Sequence, residues 1–559
     1  QDHGVLLITG AEGAGKRRLV LEVARCLAPE VQVIVAEAPF HHNTPWAPIL
    51  QLVGSILGVK QPTVAELTRA IARLGLPDRD VPGIAELFGV GTGRDLDRKA
   101  LRHEAMTSIR RVIHAASRRL PRTALAFIDL DRFDPASRDL ALEIAACAEQ
   151  HRLAVAITTV KPPAISCKTE IALTPLSATQ TRMLLSNLAP DHDDIEAATS
   201  MATGSPARVE QIAAWVTEGR RIQSIPSSLV DLISMRILRS SPYQRRLIQA
   251  VAALGGTSSR SDLARLLDQD ELEAIPALVN VDGDEVRIHS QLVMQIALAC
   301  TPADARRRLH HRAVTLFDEA SPAARAWHAE RSENFEQAYS MFTAAGHESF
   351  ARFDSRGAAR HYHRAASCAR ALYDRGREQA ARKFISSAVL AAEAFLEEEQ
   401  AALAIQLLDE AGQFEPSENQ LAALLRAQGM ASLQQGRSKN GRELLEQSIS
   451  SSLAVGDLEL VCDVYLRLAE SLIDERDPGA AVHELQQAID IATGGGGWGS
   501  ARTPKRLWRV GHRLASLLQQ SGNHRRARTI ATDALALARR RGSQNGQAQL
   551  AALIATICE

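Results

Sequence analysis

One stretch of this sequence, Gly10-Ala11-Glu12-Gly13-Ala14-Gly15-Lys16-Arg17, has the residue types and spacing to hold a polyphosphate. The glycines let backbone N–H groups approach an anion, the start of a following helix adds partial positive charge, and Lys16 can reach the outer phosphates. The pattern G-x-x-x-x-G-K-[ST] is matched up to its last position, where Arg17 stands. A hydroxyl there would hold Mg²⁺, whereas a guanidinium has donors only. Binding of a nucleotide is therefore expected and its hydrolysis is expected to be weak or absent. The competing reading is a vestigial loop that only packs.

Such a loop needs a strand before it and a helix after it. The β-branched run Val5-Leu6-Leu7-Ile8-Thr9 reads as a buried strand, and Arg18-Leu19-Val20-Leu21-Glu22-Val23-Ala24 has helical apolar spacing. Further strands are expected at 31–36, 123–128 and 153–158, with helices over 62–120 broken by turn signals at 77–80 and 91–93. Alternating strands and helices predict a parallel three-layer α/β sheet with ligands at the strands' C-terminal edge. Asp129 follows the third of these strands and is the candidate acid for a nucleotide-bound Mg²⁺; the alternative is a capping role. Asp134, before Pro135, reads as a helix N-cap, and Lys161 lies just past the fourth strand. His41 and His42 are adjacent, point different ways and have no third ligand near, so a metal site is not expected there.

Beyond about residue 175 the strand pattern fades. Segments 177–189, 193–202 and 206–218 read as a small helical lid, with Gly204-Ser205-Pro206 between two of its helices. Helices followed by Val281-Asp282-Gly283-Asp284-Glu285-Val286, with its Asp-Gly turn, suggest a winged helix over 229–318. It lacks a helix rich in Arg, Asn and Gln on one face, so DNA reading is not expected of it. Self-similarity follows: 429–436 with 443–449 recurs as 469–476 with 483–489 and again as 515–522 with 528–535. Earlier relatives appear at Phe335-Glu336-Gln337-Ala338-Tyr339 and at 358–366. These are helical hairpins close to the tetratricopeptide plan, stacked into a solenoid whose concave face binds something.

The bulk numbers agree. A chain of 559 residues is too long for one core, and at roughly 100–200 residues per domain several domains follow. Lys plus Arg and Asp plus Glu are both 65, so no overall field attracts nucleic acid or an anionic membrane. The seven cysteines are scattered without C-x-x-C pairs, which suits buried thiols in a reducing cytoplasm. No apolar run approaches the roughly 20 residues of a membrane span, and no signal peptide opens the sequence. The first strand begins close to Gln1, so an N-terminal piece is expected before it.

Taken together, these motifs resemble the signal-transduction ATPases with numerous domains, most closely the nucleotide-binding and helical-repeat part of large LuxR-type regulators. The resemblance rests on the phosphate loop, Thr44-Pro45-Trp46-Ala47-Pro48-Ile49, Asp129 through Ser137, Thr174-Pro175-Leu176-Ser177, Gly204-Ser205-Pro206, Ile225-Pro226-Ser227-Ser228-Leu229 and Arg287-Ile288-His289. It implies a multidomain chain: an α/β P-loop NTPase domain (1–174), a helical lid (175–228), a winged helix (229–318), a helical linker with the first repeats (319–400) and an all-α tetratricopeptide-like solenoid (401–559). It also implies ADP or ATP as ligand, held by Gly10, Gly13, Ala14, Gly15, Lys16, Arg17 and Arg18, with Asp129 in the acid pair that serves Mg²⁺ and catalysis. Lys161 falls where the family has a sensor arginine, Pro206 in a proline motif near the base, and His289 at the winged-helix histidine that can touch the ADP β-phosphate. In such proteins ADP holds a closed monomer; an inducer on the repeats and exchange for ATP open it to self-assemble and drive an output domain. The implied function is a cytoplasmic nucleotide-regulated switch and scaffold within a transcriptional regulator, reaching DNA only through a domain this chain does not contain. Arg17, Ile128 in the first acid place when Asp134-Pro135 sets the register, and Lys161 depart from the family pattern in one direction, away from hydrolysis. A one-residue shift restores the acid. The alternatives are an active ATPase reset by hydrolysis and a nucleotide-free interaction scaffold.

Overall fold

The computed structural model describes residues 3–558 apart from 29, 39–45, 61, 92–97, 120–122, 191–194, 270–271, 273–275, 277, 289, 317–320, 495–496 and 501–502, and only the backbone of 98–100. His41, His42 and His289 lie outside the described residues. The chain divides into two compact units, 1–90 with 106–341, and 91–105 with 342–559.

Unit 1 begins as an alternation: β1 (Gly4–Gly10), α1 (Lys16–Leu27), β2 (Gln32–Glu37), α2 (Ala47–Leu57), α3 (Val64–Arg73), α4 (Val81–Leu87), α5 (Arg98–Arg119), β3 (Thr123–Ile128), α6 (Pro135–Ala146), β4 (Ala154–Thr159) and β5 (Thr169–Leu173). All five strands are parallel, in the order β2-β3-β4-β1-β5. Strands covered on both faces read as continuous apolar runs, which is why β1, β3 and β4 stand out in the sequence. Ile8, Val20, Ala126 and Ile128 pack together in their core. β5 breaks that rule: as an edge strand it is exposed along most of Thr169-Glu170-Ile171-Ala172-Leu173, and its sequence carries no buried run. Asp134 caps α6, accepting from the Ser137 N–H at 2.9 Å, and Pro135 opens that helix.

Three helices follow, α7 (Ala178–Leu188), α8 (Ile195–Ala202) and α9 (Pro206–Thr217). They close on Leu185, Ala202, Val209, Ile212 and the buried Trp215. The Ile225–Leu229 stretch is tied to α9 by Arg208, which donates to the carbonyls of Ser227 (2.5 Å) and Pro226 (3.2 Å). Next come α10 (Leu229–Arg239), α11 (Pro242–Ala253), β6 (Thr257–Ser259), α12 (Arg260–Leu267), β7 (Val279–Asp282), β8 (Glu285–Ile288), α13 (Gln291–Ala299) and α14 (Ala303–Leu316). The three short strands form an antiparallel sheet ordered β6-β8-β7, and Asp282-Gly283-Asp284-Glu285 makes the β7–β8 turn. Leu247, Ile248, Val251, Val286, Ile288 and Val293 fill its core. Buried Arg236 on α10 pairs with Glu218, just past α9, at 2.6 Å, and also donates to Gln211. Helices α15 (Pro322–Arg331) and α16 (Phe335–Ala351) follow.

Unit 2 is helical hairpins: α17 (Ser355–Asp374), α18 (Ala380–Glu397), α19 (Ala401–Ala411), α20 (Glu418–Gln434), α21 (Ser438–Val455), α22 (Leu458–Asp474), α23 (Pro478–Thr493), α24 (Leu507–Gln520), α25 (His524–Arg540) and α26 (Gln544–Cys558). The three sequence copies are the hairpins α20–α21, α22–α23 and α24–α25. Their turns close alike: the N–H groups of Arg437, Asp477 and Asn523 donate to the carbonyls of Ser432 (2.9 Å), Leu472 (2.9 Å) and Leu518 (2.8 Å). Each turn passes through a left-handed residue, Gly436, Arg476 or Gly522. Small residues sit where helices cross. A Cβ on Gly429 would lie 2.9 Å from Leu445 and 3.0 Å from the Gly441 carbonyl, so α20 and α21 approach backbone to backbone.

Candidate functional site

The loop after β1 sits where strand order reverses, because β1 pairs with β4 on one side and β5 on the other. A crevice at the strands' C-terminal ends is the expected ligand position in such a sheet. Gly13 (φ 77°) and Gly15 (φ 92°) both take left-handed backbone, which lets the chain turn between strand and helix. Gly15 is the N-cap of α1, no side chain caps that helix, and its first turn holds no acid. Its leading N–H groups are therefore left for an anion. Lys16 is buried, with its Nζ donating to the carbonyls of Gly10 (2.8 Å) and Ala11 (3.0 Å). The loop's own carbonyls hold the ammonium inside the cradle that a phosphate would enter.

Around this cradle the structure gathers groups from several elements. Arg17 forms a bidentate pair with Glu37 at the end of β2, through Nε (2.8 Å) and Nη2 (3.1 Å). Gln51 on α2 accepts the Glu37 backbone N–H at 3.0 Å, which fixes that strand end. Asp129 takes a left-handed backbone just past β3 (φ 54°), and its N–H donates to the Thr158 hydroxyl on β4 at 2.7 Å. Burial pushes the Asp129 carboxyl above its ordinary range; the Glu37 carboxylate adds to this, while Lys16, Arg132 and Arg17 oppose it. Asp131 accepts from the Thr159 hydroxyl (2.7 Å) and the Val160 N–H (2.6 Å), so it is a brace between two strand ends. That brace fixes the turn leading to Lys161, whose side chain is exposed.

A further contributor is α9. The Ala207 N–H donates to the Gly13 carbonyl at 3.3 Å, and a Cβ on Gly13 would lie 2.8 Å from the Ala207 Cβ. Pro206 thus opens the helix that touches the loop, and Arg18 pairs with Glu210 on the same helix at 2.8 Å. Glu37 and Ala207 escape a reading of motifs. Glu37 follows the run Val33-Ile34-Val35-Ala36, and only the adjacency of β2 and β3, which sets Glu37 beside Ile128, reveals that an acid ends there.

The site fits a nucleotide's phosphates and does not fit Mg²⁺ held in the usual way. Arg17 replaces the hydroxyl and is engaged by Glu37, and Ile128, fully buried and apolar, fills the place beside Asp129. Among the described residues no group of three or more His, Cys, Asp or Glu could hold a metal ion.

Residues 1–157 match the family described as AAA ATPase domain. An uncharacterised protein of Rhizobium meliloti (strain 1021) is 27% identical over 406 residues, covering 62% of this chain and 39% of that relative, so the chain spans well under half of its relative's length. Among solved structures, a signal-transduction ATPase with numerous domains bearing a tetratricopeptide repeat sensor, from Pyrococcus horikoshii, aligns over 98% of this chain and 83% of its own at 13% identity, with a TM-score of 0.43. The Rap conjugation gene regulator of plasmid pLS20, in complex with the Phr* peptide, aligns over 46% of this chain and 70% of its own at 15% identity, with a TM-score of 0.32. Fold and site define the class: a P-loop NTPase α/β domain, of the AAA ATPase type over residues 1–157, carried on a chain that continues into tetratricopeptide-like helical repeats. Among the described residues no helix is long and apolar enough to cross a membrane.

Proposed function

We propose that this chain is the nucleotide-regulated switch and scaffold of a signal-transduction ATPase with numerous domains, acting in the cytoplasm within a transcriptional regulator. The contact between the phosphate loop and α9, Ala207 against Gly13, carries this reading, since it couples the phosphate site to the helices that follow. ADP or ATP is the ligand, held by the loop from Gly10 to Arg18, with Lys161 and the proline motif at Pro206 beside it. Helices 175–228 act as the lid and 229–318 as a winged helix. The repeats take an inducer, ligand or protein, and the opened form self-assembles. Hydrolysis is slow or absent, because metal ligation and the planar sensor fork are both missing, and phosphoryl transfer depends on such positioning and charge.

The test is the nucleotide content of purified full-length chain, released by denaturation and separated, followed by sedimentation after exchange of ADP for ATP. Co-purified ADP and assembly upon exchange support the switch. An empty site that takes up neither nucleotide refutes it and leaves a scaffold. Phosphate release that requires Mg²⁺ and is abolished by Lys16→Ala would favour the working ATPase instead.

A further inference from the structure

Building on the reading of the loop as a nucleotide site, we propose that Arg17, held in place by Glu37, takes the position of the divalent cation, so that nucleotide polyphosphate binds here without Mg²⁺. The position after the loop lysine is where a hydroxyl would present the metal to the phosphates. Here it carries a cation on a side chain, and Glu37 grips that cation by one edge through Nε and Nη2. A guanidinium has five N–H donors in a rigid fork. The pair with Glu37 uses two of them, and the other edge, with both Nη1 hydrogens and one on Nη2, is turned from the carboxylate and suited to phosphate oxygens. Glu37 is itself fixed, through its backbone N–H to Gln51 and its place in the sheet beside Ile128. It is thus a positioning residue. The same pair removes the metal's hydroxyl by substitution and engages the nearby Glu37 carboxylate, which leaves Asp129 as the acid beside the loop.

The experiment is calorimetric titration of the full chain with ADP and with ATP, once in EDTA and once with MgCl₂. The wild type is expected to bind with the same affinity in both buffers. Arg17→Thr restores the hydroxyl and frees Glu37, so its affinity is expected to fall about tenfold or more in EDTA and to recover with Mg²⁺. Glu37→Gln alone keeps Arg17 and releases its bidentate hold, so affinity in EDTA is expected to fall; undiminished affinity would overturn the positioning role given to Glu37. Circular dichroism of each variant confirms that it folds. Wild-type binding that needs Mg²⁺ would overturn the inference while leaving the nucleotide reading intact. Binding of neither nucleotide in either buffer would overturn the nucleotide reading itself.

Discussion

Replacing Gly13 by alanine tests the join between the phosphate loop and α9. Gly13 has left-handed backbone, and forcing an L side chain there costs about 1–2 kcal/mol. Restricting the unfolded chain returns about 0.4–1 kcal/mol. The new Cβ would meet the Ala207 Cβ at 2.8 Å, a contact no side-chain rotation relieves, since Ala207 belongs to the first turn of α9. Overpacking of that kind costs about 1–3 kcal/mol, so the net loss falls between about 1 and 5 kcal/mol, centred near 3. The assay is amide hydrogen exchange by mass spectrometry over 206–217, in the regime where reclosing outpaces exchange, because a multidomain chain has no single unfolding free energy. Exchange there is expected to accelerate by on the order of 100-fold. Ala207→Gly removes the clash and not the backbone strain, so the double variant is expected to be less destabilised than the sum of the singles by about 1–2 kcal/mol. Additive effects within about 0.5 kcal/mol, or unchanged exchange in α9, would refute the coupling.

Other consequences follow from the same geometry. Gly429→Ala gains about 1 kcal/mol of helix propensity and loses about 1–3 kcal/mol to the clash with Leu445 and the Gly441 carbonyl, so faster exchange in α20 and α21 is expected. Arg476 occupies a left-handed turn position where the neighbouring copies have glycine, and Arg476→Gly is expected to stabilise α22–α23 by about 0.5–1 kcal/mol, read as slower exchange there. Burial, with Arg513 beside it, holds the His512 imidazole below its ordinary value of 6.5. The folded state then binds fewer protons than the unfolded one below that pH, so stability is lost as pH falls from 6.5 toward the folded value. His512→Gln is expected to flatten that part of a melting-temperature profile.

Much of this was open to a reading of residue types. The phosphate loop announces itself because its chemistry is local: glycines for left-handed turns, a lysine at fixed spacing, an apolar strand before it. The repeats are legible because self-similarity needs no tertiary knowledge, and Asp134 because Asp-Pro at a helix start is a local signal. What escaped depends on partners far away in the chain. β5 is an edge strand without an apolar run, and β6 is a three-residue strand whose partner, β8, lies across α12 and β7. Glu37 acquires its role only once β2 lies beside β3, and Ala207 only once α9 meets the loop. Arg17 is plain in the sequence as a missing hydroxyl; its bidentate partner is visible only in the fold.

The central claim is that Lys16 and its loop hold a nucleotide whose presence is felt at α9. Hydrogen exchange over 206–217 with and without saturating ADP, in wild type and in Lys16→Ala, tests it most directly. A ligand at 100 times its dissociation constant stabilises by about 2.7 kcal/mol, so wild-type exchange in α9 is expected to slow by up to about 100-fold while Lys16→Ala shows no change. Equal exchange with and without ADP in the wild type, or equal protection in the variant, would contradict the account.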